Sequence, residues 1–273
     1  GTTAERPGSP STGEWRYNTT TNLIEYYDGA EWKELLSEAI PPIPSENFNT
    51  VLYTGNGGSQ SITGVGFKPD MVWIKDRTRA REHILCDSTR GSEKEISPNT
   101  DDAEENRGVF SFDADGFTFN DGNTNYNENA ESYVAWCWKA NGGTTSSNGD
   151  GTITSTVQAN TSAAFSIVQW TGDGNSSSTV GHGLGKTPDF IILKDYSNTR
   201  DWQVYSSATG SSLKFGANLN TTGSWNSSSG TNGAFDTPNS SVIKFTGGSS
   251  TINNLNASGA NIVAYCFADT AEY

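Results

Sequence analysis

The chain has 273 residues, 17 basic and 31 acidic, for a net charge of −14, and only 33% of it is hydrophobic. The acidity excludes a nucleic-acid binder, which needs a basic surface. No apolar run approaches a membrane span; the longest, Ile262–Ala268, has seven residues. Ser, Thr and Asn make up a third of the chain, a polarity that goes with disorder, but 8 Trp, 10 Tyr and 12 Phe supply material for a core.

In chain order, the N-terminal segment reads as an extended Pro-rich lead, a strand, a polar turn at Thr19–Asn22, a return strand and a turn at Asp28-Gly29. Glu31–Ala39 is the one fair helical stretch, one or two turns long. In Ile40-Pro41-Pro42-Ile43-Pro44 the prolines fix φ and remove donors, which closes a module over residues 1–44. Beyond it, segments of five to eight residues rich in Val, Ile, Trp, Tyr and Phe, bounded by Gly, Asn, Asp and Pro, read as strands. A Gly/Ser/Thr/Asn stretch over residues 141–162 reads as a second linker and separates domains at 45–140 and 163–273. Residues 1–150 hold 24 acids and 12 bases, against 7 and 5 in residues 151–273.

The two larger pieces share motifs in the same order. Tyr53-Thr54-Gly55-Asn56-Gly57 answers to Trp170-Thr171-Gly172-Asp173-Gly174. Pro69-Asp70-Met71-Val72-Trp73-Ile74-Lys75-Asp76 matches Pro188-Asp189-Phe190-Ile191-Ile192-Leu193-Lys194-Asp195 without a gap. His83–Ser88 falls on Trp202–Ser207, and Tyr133–Trp138 on Ile262–Phe267. The expected fold is all-β: two tandem duplicated β-sandwich domains, jelly-roll or lectin-like, preceded by a small N-terminal β-hairpin module with a short helix. Tyr133–Trp138 and Ile262–Phe267 are apolar on both faces. Their second face needs cover from long loops, the sister unit or another subunit. Trp73, Trp136, Trp138, Ile192, Tyr265 and Phe267 are expected mostly inside. Three Cys without CxxC spacing read as small buried hydrophobes.

The N-terminal string Thr2-Thr3-Ala4-Glu5-Arg6-Pro7, Gly13-Glu14-Trp15-Arg16-Tyr17-Asn18, Glu25-Tyr26-Tyr27-Asp28-Gly29 and Trp32 resembles a module common in tailed-bacteriophage fibres and other virion appendages. The duplicated unit resembles a domain of structural proteins from marine, cyanophage-type tailed phages. The matching parts are Gly66–Lys75, Asp87-Ser88-Thr89-Arg90-Gly91, Phe112–Phe119 and Tyr133–Lys139; the second unit lacks the Ser-Thr-Arg-Gly match. The resemblance implies a virion protein, homotrimeric, bound to other virion proteins and acting in attachment to the host surface, a tail fibre or related appendage. A head decoration or collar protein is the structural alternative, and a glycan-degrading tail enzyme the second.

The residues themselves point to non-covalent binding, with no enzyme, no catalytic residue, no cofactor and no membrane insertion. Only His83 and His182 can serve as imidazole bases, and Gly181-His182-Gly183-Leu184-Gly185 lacks the Lys-Ser/Thr ending of a phosphate loop. Asp113-Ala114-Asp115-Gly116 with Asn120 and Asp121 offers oxygen ligands of the kind calcium prefers, but the EF-hand pattern fails; no metal is expected, and an Asp-Gly turn accounts for the string. A sugar site needs an aromatic platform with amide and hydroxyl partners. Tyr126 among five Asn in Asn120–Glu131, and Trp225 in Thr221–Asn232, have that setting. Arg79 and Arg81 in Arg77–Glu82 are candidates for acidic surface glycans or for pairing with nearby acids.

Overall fold

Asp28 sets the course of the N-terminal segment. Its Oδ1 accepts the Ala30 and Glu31 amides at 2.8 Å each, and Gly29 adopts φ 103°, so the chain turns straight back into a strand. In the computed structural model, which describes residues 1–34, 44–209, 217–222, 234–246 and 254–269, β1 (Trp15–Asn18), β2 (Leu23–Tyr27) and β3 (Trp32–Glu34) form an antiparallel sheet in that order. The hairpin expected from sequence is therefore three-stranded. The expected helix does not start at Glu31: Trp32–Glu34 pairs with Glu25–Tyr27, and Trp32 packs on Tyr27 at 5.7 Å. Residues 35–39 lie outside the described residues.

The chain is all-β and divides into two compact units, Gly1–Ile43 and Pro44–Tyr273. After a helical turn at Pro44–Asn47, the second unit begins with β4 (Phe48–Thr54), β5 (Gln60–Thr63), β6 (Met71–Asp76), β7 (Ile84–Asp87), β8 (Glu95–Ile96), β9 (Ser111–Asp113), β10 (Gly116–Phe119) and β11 (Ser132–Trp138). These make a large sheet ordered β4-β11-β6-β7-β8 and a small one ordered β5-β10-β9. There follow β12 (Ser146–Asn148), β13 (Ser155–Asn160), β14 (Phe165–Thr171), β15 (Thr179–Gly181), β16 (Phe190–Asp195), β17 (Gln203–Ser206), β18 (Ala217–Asn218), β19 (Ala234–Asp236), β20 (Val242–Thr246) and β21 (Asn261–Phe267). Their sheets run β12-β13-β14-β21-β16-β17-β18 and β15-β20-β19. Leaving out β12 and β13, the strand order of the first half recurs strand for strand in the second. The stretch expected to be a linker at 141–162 is thus part of the sheet: β13 pairs with β14 and β12 with β13.

The shared strings do the same structural work in both halves. Asp76 Oδ1 accepts the Thr78 and Arg79 amides, and Asp195 Oδ1 accepts Ser197 N and Oγ. Lys75 Nζ donates to the Asp76 and Arg79 carbonyls, and Lys194 Nζ to those of Asn198 and Arg200. Each Thr-Gly turn approaches a neighbouring loop so closely that a Cβ on Gly55 or Gly172 would lie 2.2 Å from a carbonyl oxygen. Asn127 and Asn256, both fully buried, tie those turns down.

In each half the large sheet packs on its small sheet, around Ile62, Val72, Ile74, Phe117, Phe119 and Tyr133 in the first and Val168, Ile191, Leu193, Phe235, Ile243 and Ile262 in the second. A third cluster lies between the halves: Met71, Leu85, Ile96, Phe165, Ile167, Ile192, Trp202, Val263 and Tyr265. The sister half therefore covers the second apolar face of β21, whose Val263 and Tyr265 are sealed there. Cys86, Cys137 and Cys266 are buried free thiols.

The Asp87-Ser88-Thr89-Arg90 string is where the halves dock. Asp87 Oδ1 accepts the Thr89 and Arg90 amides, while Oδ2 takes Arg90 Nε and, from the other half, Tyr265 OH, both at 2.6 Å. Ser88 and Thr89 hydroxyls accept from Gln158 Nε2 on β13. Trp202 Nε1 donates to the Ser97 carbonyl, and Lys194 Nζ to that of Asp101.

Candidate functional site

Among the described residues, those expected to bind ligand do not form a site. Tyr126 is fully buried, stacked on Phe119 at 4.7 Å. Its hydroxyl donates to Asp121 and accepts the Gly108 amide, and burial pushes its pKa up. It seals the first core, so the expectation of a sugar platform there is corrected. The surrounding Asn residues act as turn formers: Asn123 Oδ1 accepts the Asn125 amide, and Asn127 is the buried cross-link already described. Trp225 lies outside the described residues. Arg79 pairs with Glu128 at 2.8 Å and Glu131 at 2.5 Å, and Arg81 with Glu128 at 3.2 Å. Their charge is spent on neighbouring acids in a solvated turn.

The oxygens of the Asp113–Asp121 string are committed to local donors. Asp113 accepts the Ser111 and Thr118 hydroxyls, and Asp115 the Gly64 and Gly66 amides. Among the described residues no group of three or more His, Cys, Asp or Glu is placed to hold a metal ion. His182 is interior: Nδ1 accepts the Leu184 amide, so Nε2 carries the proton and donates to the Asn239 carbonyl at 3.0 Å.

A different set of side chains forms a cleft. Trp73 on β6 and Trp136 on β11 are cross-strand partners. Their rings meet edge to face, 6.5 Å apart and at 83°. Trp73 Nε1 donates to His83 Nδ1 at 3.0 Å, which leaves the imidazole proton on Nε2. Burial, and then the charge of Lys75, hold His83 below the ordinary imidazole range, so the ring is neutral at pH 7. Trp138, two residues along β11, completes a cavity of about 320 Å3 lined by these four side chains. Trp73 and Trp138 also border an apolar cavity of about 280 Å3 between the halves, which Met71, Leu85, Phe190, Ile192, Tyr265 and Phe267 close. All four cleft residues are only half-buried, and Leu52, on the strand next to β11, is 62% exposed.

Sequence reasoning placed the three indoles inside because their strands are apolar on both faces. Of the corresponding residues of the second half, Ile192 and Tyr265 are sealed, as is Trp202 at the place of His83, while Phe267, at the place of Trp138, is half-buried. The segment carrying Ser97, Asp101 and Glu104 lies over them. The one available signal was compositional: the first half puts Trp73 and Trp136 where the second has Ile192 and Tyr265, and exchanges Trp202 for His83.

The N-terminal sheet is a second unusual surface. On one face Glu25 and Asn18 are fully buried; Glu25 pairs with Arg6 at 2.6 Å and Arg16 at 3.2 Å and accepts from Asn18. Arg6 above all holds its carboxyl below the usual range. The opposite face is largely aromatic and open: Trp15 is 61% exposed, Tyr17 52% and Ile24 49%, Tyr26 packs against Trp15 at 5.5 Å, and the exposed Lys33 stands beside Tyr26.

A family model described as a domain of unknown function, DUF7483, matches residues 43–273, and the chain belongs to that family. The match starts where the second compact unit starts and runs through both halves. No curated protein and no solved structure matches the chain.

Proposed function

We propose that this chain is a virion protein of a tailed bacteriophage, a tail fibre or related appendage, that holds the particle to a host-surface glycan or receptor without covalent chemistry or cofactor. The N-terminal sheet is the observation that carries the reading. The segment resembling phage-fibre modules buries Glu25 and Asn18 on one face and leaves Trp15, Tyr17 and Ile24 exposed on the other, beside Tyr26 and Lys33. A solvated tail would have the reverse arrangement, whereas a surface built to be covered by further chains would have this one. Those chains are copies of itself in a homotrimer, together with other virion proteins. The DUF7483 part is then the presented head, two β-sandwich domains of jelly-roll or lectin-like type related by duplication. The repeated strand order, the paired Asp and Lys turn caps and the paired buried Asn support that relation.

Fluorescently labelled full-length chain, incubated with candidate host cells, tests the reading. Saturable binding that periodate oxidation of the cells abolishes is expected, with no reducing sugar released. Binding to none of the hosts would overturn attachment, and release of oligosaccharide would replace it with the enzyme reading.

A further inference from the structure

We infer that the cleft of Trp73, His83, Trp136 and Trp138 binds an uncharged saccharide. The inference deepens the attachment reading and rests on it for the source of the sugar. Its own support is the donor set and the lining.

Three large indoles left half-open at the middle of a sheet are costly as mere surface, because apolar area out of water is stabilising at roughly 25 cal/mol per Å2. The matching face of the other half shows that the fold can close most of this position, with Tyr265 and Trp202 fully buried and only Phe267 half-open. An apolar occupant would not suit the cleft. Trp136 Nε1, Trp138 Nε1 and His83 Nε2 have no hydrogen-bond partner among the described residues, and an apolar ligand would strip water from all three without replacing its bonds. An anionic occupant would not suit it either: the lining holds no cation, and the chain carries −14. A neutral sugar satisfies both constraints. Its C–H face stacks on an indole, and its hydroxyls accept from the three ring N–H groups. The locked tautomer of His83 fixes one of those donors, because Nδ1 is already occupied by Trp73. The edge-to-face placing of Trp73 and Trp136 gives the ligand one ring as floor and the other as wall. A volume of about 320 Å3 lies at the lower end of the range for small-ligand sites.

The test titrates the full-length chain with neutral gluco-, manno- and galacto-configured tetrasaccharides, following tryptophan fluorescence and its quenching by acrylamide. At least one is expected to bind saturably and to shield tryptophan from the quencher in the wild-type chain. Trp136→Leu, which keeps an apolar filler, and His83→Phe, which removes the donor, are each expected to weaken that sugar by about tenfold or more, at unchanged melting temperature. Trp15→Ala is expected to leave it unchanged. Binding of none of the three sugars, or equal binding by both cleft variants, overturns the inference. So does a change of oligomeric mass in Trp136→Leu with sugar affinity intact, which would make the cleft a subunit contact. Host-cell binding and sugar affinity that both survive the two cleft variants sink this site and leave attachment standing. Sugar binding without cell binding sinks attachment and leaves the site.

Discussion

Glu95 shows how far a single residue can depart from its ordinary chemistry. Its side chain is buried; Oε1 pairs with Arg107 at 2.9 Å, and Oε2 has no partner among the described residues. Burial pushes its pKa up to about 7 despite the opposing pull of Arg107. In the unfolded chain the carboxyl ionises near 4.5. Between these two values the unfolded state sheds the proton first, so stability falls as pH rises from about 4.5 to about 7 and levels off above. The full effect is about 3 kcal/mol, at 1.36 kcal/mol per pKa unit. Glu95→Gln is therefore expected to stabilise the chain at pH 8 and to change little at pH 4. Urea titrations at the two pH values check this; an equal shift at both would show that the carboxyl titrates normally.

At the scale of elements, the Asp87–Arg90 turn is the clearest case of a motif whose role sequence alone does not reveal. It is present in one half because it grips the other. Arg90, essentially buried, holds Asp87 at 2.6 Å and Glu104 at 2.9 Å, and also donates to the Leu85 carbonyl. Removing one member of a buried charged set leaves the rest uncompensated. Arg90→Ala should cost about 3–5 kcal/mol. Arg90→Lys should rescue little of it, because a single ammonium cannot reproduce the fork. Denaturant titration decides; a loss under about 1 kcal/mol would mean that solvent reaches the turn. The all-β character and most strand positions were legible beforehand, because they rest on local alternation and on turn-capping Asp and Lys that recur in order. The strands at 146–148 and 155–160 were not, because their Ser, Thr and Asn read as breakers. Only the tertiary setting shows Val157 in the core and Gln158 reaching Ser88. The sugar platform expected at Tyr126 failed for a related reason. Alternation tells which residues share a face, but not how far a neighbour extends over it. Tyr126, polar in its surroundings, proved sealed, while Trp136, apolar in its surroundings, proved half-open.

At the scale of the whole molecule, the two units meet the demands of stability in different ways. The DUF7483 unit has three apolar clusters of its own, enough that it should fold without residues 1–43. The N-terminal unit has a buried ion cluster where a core would be, and chains of that length rarely hold together alone. Its aromatic face is then expected to be covered, and every copy of the chain carries the same patch of Trp15, Tyr17 and Ile24 with Lys33 at its edge. Closed symmetry by itself favours two copies; the choice of three follows the resemblance to phage fibres. The N-terminal sheets are expected to meet at the three-fold axis through Trp15, Tyr17, Ile24 and Tyr26. Three weak saccharide sites joined in this way gain avidity without any new contact. Light scattering at micromolar concentration should give the mass of three chains. Ile24→Arg, a charge placed in the middle of that face, should dissociate them while leaving the melting of the DUF7483 unit unchanged. A mass near one chain for the wild type, with the N-terminal sheet intact by circular dichroism, would show that the aromatic face tolerates water and would remove the basis for the trimer.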